Sequence, residues 1–281
     1  MSTSVVDPKP ADVHALRVLI TTPAEDIFRG FLQRPLYGRL GWLEMKRRYR
    51  RTVLGPLWAT FSLALVVGAL GTIGVEMWHL SAHEYVPFLA AGMIAWVLVQ
   101  TIVTESCSLF ISNQALLRQM RINYSVLAYA LVWRNLIAFF HNFAIYVLVM
   151  LVFAPSTIGW QLLLVIPGLI LVAINGVWLA LLLGMACLRF RDLQQLTANI
   201  VQIAIFVTPI FWPADTLQRT RRIIFVTLNP LLHLIDVVRL PLIGRIPSAE
   251  NYIGVLIIMA VGWTITYATF AKYRRRIPYW S

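Results

Sequence analysis

Long apolar runs alternate with short polar breaks along this chain, and the lengths of the runs are those of membrane helices. The runs cover approximately residues 57–75, 85–110, 126–153, 160–188, 196–212 and 252–270. A helix needs about 20 mostly apolar residues to cross a bilayer, and within hydrocarbon it satisfies its own backbone polar groups. The pattern therefore predicts an all-α membrane protein with six transmembrane helices.

The apolar stretch 223–240, between the fifth and sixth runs, is interrupted. Asn229 and Pro230 break it in the middle, and Pro241 follows it. Proline removes a backbone donor and is poorly tolerated inside a helix. We expect re-entrant or surface-lying helices on the outer face, and two additional spans are the alternative.

The segment before the first run has a different character, and residues 1–52 are predicted to be cytoplasmic, with residues 53–281 forming the transmembrane domain. The sequence Thr22-Pro23-Ala24-Glu25 is typical of a helix start with a capping box, and this helix should end before Pro35. From Leu36 to Arg51, leucines 36, 40 and 43 share one helical face. This spacing predicts an amphipathic helix in the headgroup layer, with a solvated basic helix as the alternative.

The composition supports a membrane protein, because 59% of residues are hydrophobic, 13% are charged and the mean hydropathy is +0.73. A net charge of +12 would indicate nucleic acid in a soluble protein. Here the basic residues crowd at the ends of apolar runs, which indicates membrane orientation and contact with anionic headgroups, so no nucleic acid partner is expected.

The distribution of Lys and Arg orients the spans. Of 24 such residues, 19 fall in the N-terminal segment, the 110–134 region, the turn Arg189–Asp192 and the C-terminal tail. Six spans with both termini cytoplasmic place all 19 on the inner side, as the positive-inside rule requires. The other five lie between residues 219 and 245 and either pair with Asp215, Asp236 and Glu250 or face an anionic headgroup or partner.

Polar residues recur on one face of the second predicted span, at positions 101, 104, 105 and 108. A charge inside a membrane costs about 2.5 kcal/mol or more, so such a face should point inward or line water. Hydrogen bonding between helices and a polar path both remain open. Glu105 and Arg134 lie near the inner ends of their spans and are candidates to pair.

Enzyme signatures are not evident in the sequence. It contains no G-x-x-x-x-G-K-[ST] motif, so no nucleotide site of that kind is expected in this chain. His79, His83 and Glu84 lack further ligands nearby, and we assign no catalytic, cofactor-binding or metal residue. A membrane glycosyl or phosphoryl transferase is the less favoured alternative, because the outer carboxylates and histidines are scattered.

Five segments, in the same order, resemble the membrane subunits of ABC-2 type exporters of cell-surface polysaccharide. They are RYRRTVLGPLW from Arg48, RFRDL from Arg189, TPIFWP from Thr208, LNP from Leu228 with Arg239, and the tail RRRIPYW from Arg274. Thr52 stands where the first motif usually has serine, and it keeps the hydroxyl.

This resemblance implies a permease subunit of an ATP-driven exporter in the bacterial inner membrane. It implies a homodimer that works with two copies of a separate ATPase, which binds ATP and Mg²⁺. The cargo would be a polysaccharide on a lipid such as a polyprenyl diphosphate. The outer segment is most similar to O-antigen exporters; capsule and teichoic-acid exporters are alternatives, and a small-lipid or drug exporter is less favoured.

Four sets of candidate residues follow from this hypothesis. Basic residues near the surface attract anionic headgroups, and the predicted entry set is Arg47, Arg48, Tyr49, Arg50 and Arg51. A short helix between spans two and three should dock the ATPase through Leu116, Leu117, Arg118 and Arg121.

The other two sets lie in the spans and at the outer face. Aromatic rings stack on sugars but also fill cores and interfacial belts. The predicted substrate path comprises Trp58, Phe61, Trp96, Thr101, Thr104, Glu105, Ser108, Phe139, Phe143 and Tyr146. The predicted outer gate comprises Pro209, Phe211, Trp212, Asn229, Pro230 and Arg239.

Overall fold

A computed structural model describes residues 22–50, 55, 57–120, 122–157, 159–214, 218 and 223–280. Regular structure in these ranges is helical, without a strand. The α-helices are α1 (Pro23–Leu32), α2 (Arg34–Tyr49), α3 (Leu57–Trp78), α4 (Ala82–Ser106), α5 (Leu109–Ser112), α6 (Gln114–Gln119), α7 (Tyr124–Phe153), α8 (Val165–Arg189), α9 (Asp192–Val207), α10 (Pro230–Leu242), α11 (Ala249–Tyr273) and α12 (Ile277–Trp280). A 3-10 turn at Trp160–Leu164 precedes α8, a π-helical turn spans Ile223–Thr227, and a 3-10 turn at Arg274–Arg276 follows α11.

Five of these helices are long and apolar enough to cross a membrane. With their flanking turns they are Leu57–Trp78, Ala82–Ser106, Tyr124–Phe153, Trp160–Arg189 and Ala249–Arg276. They agree closely with five of the six predicted spans.

The predicted fifth span, residues 196–212, corresponds to α9, which is nearly as long but begins and ends several residues earlier. Its 16 residues extend about 24 Å, less than the hydrocarbon thickness of about 30 Å. The helix ends because Thr208 precedes a proline and adopts an extended conformation with ψ 131°. The apolar run continues past this break, which is why hydropathy alone placed the end of the helix too far along the chain.

The core is organised around α4. In its most apolar 18-residue window 67% of residues are buried, against 22% for α3 and for α11. α4 packs against α3, α7, α8 and α10, and Trp96 and Ile102 are among its fully enclosed side chains. Hydrocarbon solvates apolar side chains as well as a core does, so the exposed faces of α3 and α11 carry no penalty in a bilayer.

The first N-terminal helix begins as predicted, whereas the second begins at Arg34 and so includes Pro35 in its first turn. Thr22 Oγ1 accepts a hydrogen bond from the Glu25 amide at 3.2 Å, and the Glu25 carboxylate accepts one from the Thr22 amide at 3.4 Å. α1 then ends at Leu32, before Pro35. The capping box therefore forms, although residues 1–21 lie outside the described residues.

The buried face of α2 differs from the predicted leucine stripe. Gly41 and Met45 are buried, whereas Leu43 is 53% exposed. Gly41 lies so close to α7 that an added Cβ would be 2.9 Å from the Ala130 carbonyl oxygen. The close backbone approach, rather than the leucine periodicity, sets the orientation of this helix.

Asp26 joins α1 to the start of α7. Its carboxylate accepts hydrogen bonds from the Ser125 amide at 3.1 Å and the Tyr124 amide at 3.4 Å, and so supplies the cap that Asn123 does not. Burial raises the pKa of Asp26, and these hydrogen bonds partly offset the increase.

The same end of the bundle holds the α8–α9 turn and the C-terminal tail. The Arg189 guanidinium lies 5.6 Å from the centroid of the Trp280 ring, and the charge of Arg274 acts on Asp26 of α1. α1, the start of α7, the α8–α9 turn and the tail therefore share one end of the molecule.

We predict that Gly41→Ala destabilises the protein by about 1–3 kcal/mol, because its methyl group overpacks the contact with α7. Gly38→Ala is the matched control, since an added Cβ there meets nothing within 4 Å. It should raise stability by up to about 1 kcal/mol through helix propensity. Thermal unfolding of the purified chain in detergent measures both effects, and equal shifts for the two variants would contradict the assignment.

Candidate functional site

A network of ion pairs centred on Glu105 joins three helices. Its Oε1 accepts from Arg48 of α2, and its Oε2 accepts from Arg134 of α7 at 2.6 Å. Asn135 Nδ2 donates to the same Oε2 at 2.8 Å. The second guanidinium arm of Arg134 pairs with Glu44 of α2. The predicted pairing of Glu105 with Arg134 is confirmed, and it belongs to a larger network.

The centre of this network is largely shielded. The side chains of Glu105 and Arg134 are 16% and 13% exposed, whereas that of Arg48 is 44% exposed. Charges removed from water must be paired, so the shielded pair Glu105–Arg134 is held more tightly than the more exposed pair Glu105–Arg48. Arg48 is consequently the member of the network that an external anion can reach.

A cavity of about 380 Å³ opens beside these residues. The charged cavity, as we call it, is lined by Glu44, Arg47, Arg48, Glu105, Ser108, Ser112, Asn113 and Arg134. Arg47 is exposed and forms no ion pair within the described part of the chain. The cavity therefore carries three guanidinium groups and two carboxylates, and the guanidinium of Arg47 has no ion-pair partner among them. This excess of positive charge favours binding of an anionic ligand.

The polar face of α4 contributes to this cavity mainly through Glu105. The hydroxyls of Thr101 and Thr104 donate to the carbonyls of Val97 and Gln100 at 2.7 and 2.9 Å. Ser108 similarly donates to the Glu105 carbonyl at 3.1 Å and also lines the cavity. The hydroxyls are therefore satisfied within their own helical segment, and Glu105 is the member of the face that reaches other helices.

The remaining predicted entry residues lie at the end of α2. Tyr49 is half-buried and Arg50 is exposed immediately after the helix, while Arg51 lies outside the described residues. The structure thus brings Arg47 and Arg48 to the charged cavity and leaves Arg50 on the adjacent surface.

The predicted docking helix is present as α6, which begins directly after the cavity residue Asn113. Leu117 is 7% exposed and packs into the core, Leu116 is half-buried, and Arg118 is exposed. Arg121 lies outside the described residues. Leu117 therefore anchors α6 to its own chain, and Arg118 lies on the exposed side of the helix.

The predicted path aromatics fall into three places. Phe139, Phe143 and Tyr146 form a ladder along α7 with centroid separations of 6.2 and 4.8 Å. Trp58 and Phe61 are exposed on α3 with ring centroids 6.3 Å apart. Trp96 is 1% exposed in the core. Within the described residues no ring contact joins one of these groups to another.

The predicted outer-gate residues are joined around a buried arginine. Arg239 of α10 donates to the Pro209 carbonyl at 2.7 Å, pairs with Asp236 at 2.6 Å and lies 4.5 Å from the centroid of the Phe88 ring of α4. This ion pair is one of those that the sequence analysis allowed between the outer arginines and Asp215, Asp236 and Glu250.

Residues 208–212, which we call the outer turn, form further hydrogen bonds. Asn229 caps α10 by accepting from the Leu231 amide at 3.1 Å, and it donates to Thr208 Oγ1 at 3.0 Å. The Phe211 carbonyl accepts from the Tyr85 hydroxyl at 2.5 Å, and the half-buried Trp212 donates to the Phe206 carbonyl at 3.0 Å. We call Arg239, Asp236, Asn229 and the residues 208–212 the outer cluster.

Sequence reasoning missed two residues of these sites. Glu44 is the only acidic residue within α2, and a single carboxylate among cations was the signal that it pairs with one of them. Tyr85 had no such signal, because its contact with the outer turn depends on tertiary packing.

Comparison with known proteins decides the family. The model of the ABC-2 type transporter family matches residues 36–243, which include α2 except its first two residues and all of α3 to α10, and hence both the charged cavity and the outer cluster. The chain belongs to the ABC-2 type transporter family.

Curated relatives of this ABC-2 transporter chain carry one name. The O-antigen export system permease protein RfbA of Myxococcus xanthus is 26% identical over 241 residues, which cover 82% of this chain and 91% of that protein. Two proteins of the same name from Klebsiella pneumoniae are 23% and 24% identical, over 68% and 83% of this chain and 74% and 90% of their own lengths.

We predict that Glu105→Gln destabilises this ABC-2 transporter chain by about 3 kcal/mol, because it removes the shared partner of Arg48 and Arg134. Glu84→Gln is the matched control: it makes the same change in the first turn of the same helix, where the side chain is exposed. It should cost well under about 1 kcal/mol. Thermal unfolding in detergent distinguishes the two, and a Glu105→Gln variant as stable as the control would show that the network contributes little.

Proposed function

We propose that this chain is the membrane permease of an ATP-driven exporter that moves an O-antigen-like, lipid-linked polysaccharide from the cytoplasmic to the outer face of the inner membrane. The observation that carries the proposal is the alignment with O-antigen export system permeases over most of the length of both chains. The charged cavity supports it independently, since a polysaccharide on a diphosphate lipid presents concentrated negative charge at the inner surface.

In this proposal the chain crosses the membrane six times, with residues 53–281 as the transmembrane domain and residues 1–52 in the cytoplasm. α8 ends at the end of the bundle where the tail also lies, and α11 runs toward that same end. The chain between them must therefore make a net crossing. α9, about 24 Å long, supplies most of it, and the turn after Thr208 completes it on the outer side. α10 then belongs to a re-entrant outer segment.

The proposed assembly is a homodimer with two copies of a cytoplasmic ABC ATPase, which binds ATP and Mg²⁺. The absence of a P-loop motif from the sequence agrees with ATP hydrolysis by a separate subunit. α6 is the proposed docking element, because it lies at the same end of the helix bundle as Glu105 and follows Glu105 closely in sequence.

The charged cavity suggests how substrate and ATPase communicate. A diphosphate drawn to Arg47 competes with Glu105 for the exposed Arg48, since phosphate accepts the same bidentate hydrogen bonds as a carboxylate. Release of Arg48 alters the position of Glu105, and residues 107–113 connect Glu105 directly to α6. In this proposal, binding of the headgroup thereby changes the position of α6, the docking element.

We predict that Arg47→Glu lowers the surface display of the polysaccharide by about tenfold or more, because each basic residue at the membrane surface contributes about 1 kcal/mol toward an anionic headgroup and the reversal adds repulsion. Arg39→Glu is the matched control, since Arg39 is exposed on the same helix and does not line the cavity. Each variant is expressed in the native bacterium without its chromosomal copy. Surface polymer is then compared at equal membrane levels of protein and equal recovery of the ATPase.

Two outcomes of that experiment would count against the proposal. Wild-type display by Arg47→Glu would remove the headgroup role of the cavity. If deletion of the gene caused no intracellular accumulation of lipid-linked polymer, the proposed substrate class would be wrong. Analysis of the accumulated polymer separates O-antigen from capsule and teichoic acid.

A further inference from the structure

A second cavity of about 400 Å³ lies between α1, α2, α7, α8 and α11 and shares no lining residue with the charged cavity. Five of its lining residues are aromatic, and the others are aliphatic. The aromatic groove, as we call it, is lined by Phe31, Tyr37, Tyr129, Trp133 and Trp263 together with aliphatic residues of α7 and α8. No carboxylate occurs among the described lining residues, so the groove suits an apolar body.

The groove begins at the junction of α1 and α2. The Tyr129 ring lies 5.9 Å from that of Phe31 and 5.6 Å from that of Tyr37, measured between centroids. The Tyr129 hydroxyl donates to the Ile27 carbonyl of α1 at 3.3 Å. These contacts fix the aromatic end of the groove at the end of the bundle where α7 begins, which is the membrane-surface end.

A cation stands at this aromatic end. Arg34, the first residue of α2, has its guanidinium 5.1 Å from the centroid of the Phe31 ring and is exposed. Within the described residues Arg34 forms no ion pair, in contrast to Arg29, which pairs with Glu25. The charge of Arg34 is therefore available to an anionic group held above the groove.

The rest of the groove runs toward the middle of the membrane. From Tyr129 to Leu136, α7 advances about 10 Å, and the lining on α8 reaches Ile170. Trp133 is 43% exposed and Ile170 55% exposed, so the groove is open along its side. Its lining on α7, α8 and α11 lies within membrane-spanning helices, so a lipid acyl chain can enter it laterally.

We propose that the aromatic groove binds an anionic phospholipid, with an acyl chain along Trp133 and Ala173 and the phosphate at Arg34. The apolar lining of the groove alone would accept any membrane lipid. The charge of Arg34 at the surface end favours a lipid with an anionic headgroup. Bound there, the lipid bridges α2 to α7 and α8 and holds the α1–α2 junction against the bundle. This site is distinct from the charged cavity and does not depend on the proposed cargo.

The test uses the full-length chain, purified and delipidated in detergent. Phosphatidylglycerol and phosphatidylcholine with identical acyl chains are titrated in turn, and bound lipid is counted by native mass spectrometry. Wild type should retain phosphatidylglycerol about fivefold more tightly, the factor expected for one basic residue at a membrane surface. Arg34→Gln should abolish the preference, and Arg39→Gln, on the same helix but away from the groove, should keep it.

Two further measurements distinguish a lipid seated in the groove from a phosphate ion held by Arg34 alone. Ala173→Phe fills the groove and should prevent retention of either lipid while Arg34 remains. Millimolar inorganic phosphate should not displace the lipid, because the acyl chain contributes to its binding. Three results would each overturn the proposal. They are equal retention of the two lipids by wild type, the same lipid preference in Arg34→Gln and Arg39→Gln, and displacement of the lipid by phosphate alone. If Ala173→Phe does not fold, the comparison of the two arginine variants still decides.

Discussion

The pairing of one carboxylate, Glu105, fixes how three helices meet at one end of this protein. A carboxylate at the end of a membrane helix is costly unless donors surround it, and Glu105 accepts from Arg48, Arg134 and Asn135. Two of these donors lie on α7 and one on α2. The same interaction that stabilises the charge therefore holds α2 against the bundle and forms the wall of the charged cavity.

α4 connects this end of the molecule to the other. One end of α4 carries Glu105, and near the other end Phe88 and Gly92 contact Arg239 of the outer cluster. Gly92 permits this contact, because an added Cβ would lie 3.2 Å from both Arg239 Cδ and the Ile210 carbonyl oxygen. Between the two ends α4 is closely packed. Because a close-packed interior transmits strain, a displacement of α4 moves the helices packed against it. The charged cavity and the outer cluster therefore both contact one rigid element.

The sequence predicted the features that follow from hydrocarbon solvation and charge pairing, and missed those that depend on tertiary contact. Five spans and the pair Glu105–Arg134 follow from run lengths and from the cost of isolated charges, and the same cost favoured acidic partners for the outer arginines. The orientation of α2 was not predictable from leucine spacing, because in a membrane an apolar side chain such as Leu43 is satisfied by lipid or by protein. The early end of α9 was obscured by apolar residues on both sides of Pro209. Burial of Leu117 likewise arises from the packing of α6, which no local pattern encodes.

The central claim, that this chain is a path opened by the ATPase of another subunit, is tested most directly in proteoliposomes. The chain is reconstituted with its purified ATPase on the outer surface, and lipid-linked polysaccharide is supplied from outside. The account predicts that the polymer becomes protected from an added glycosidase only when ATP is hydrolysed. Equal protection in vesicles that lack the ATPase, or with a non-hydrolysable nucleotide, would contradict it.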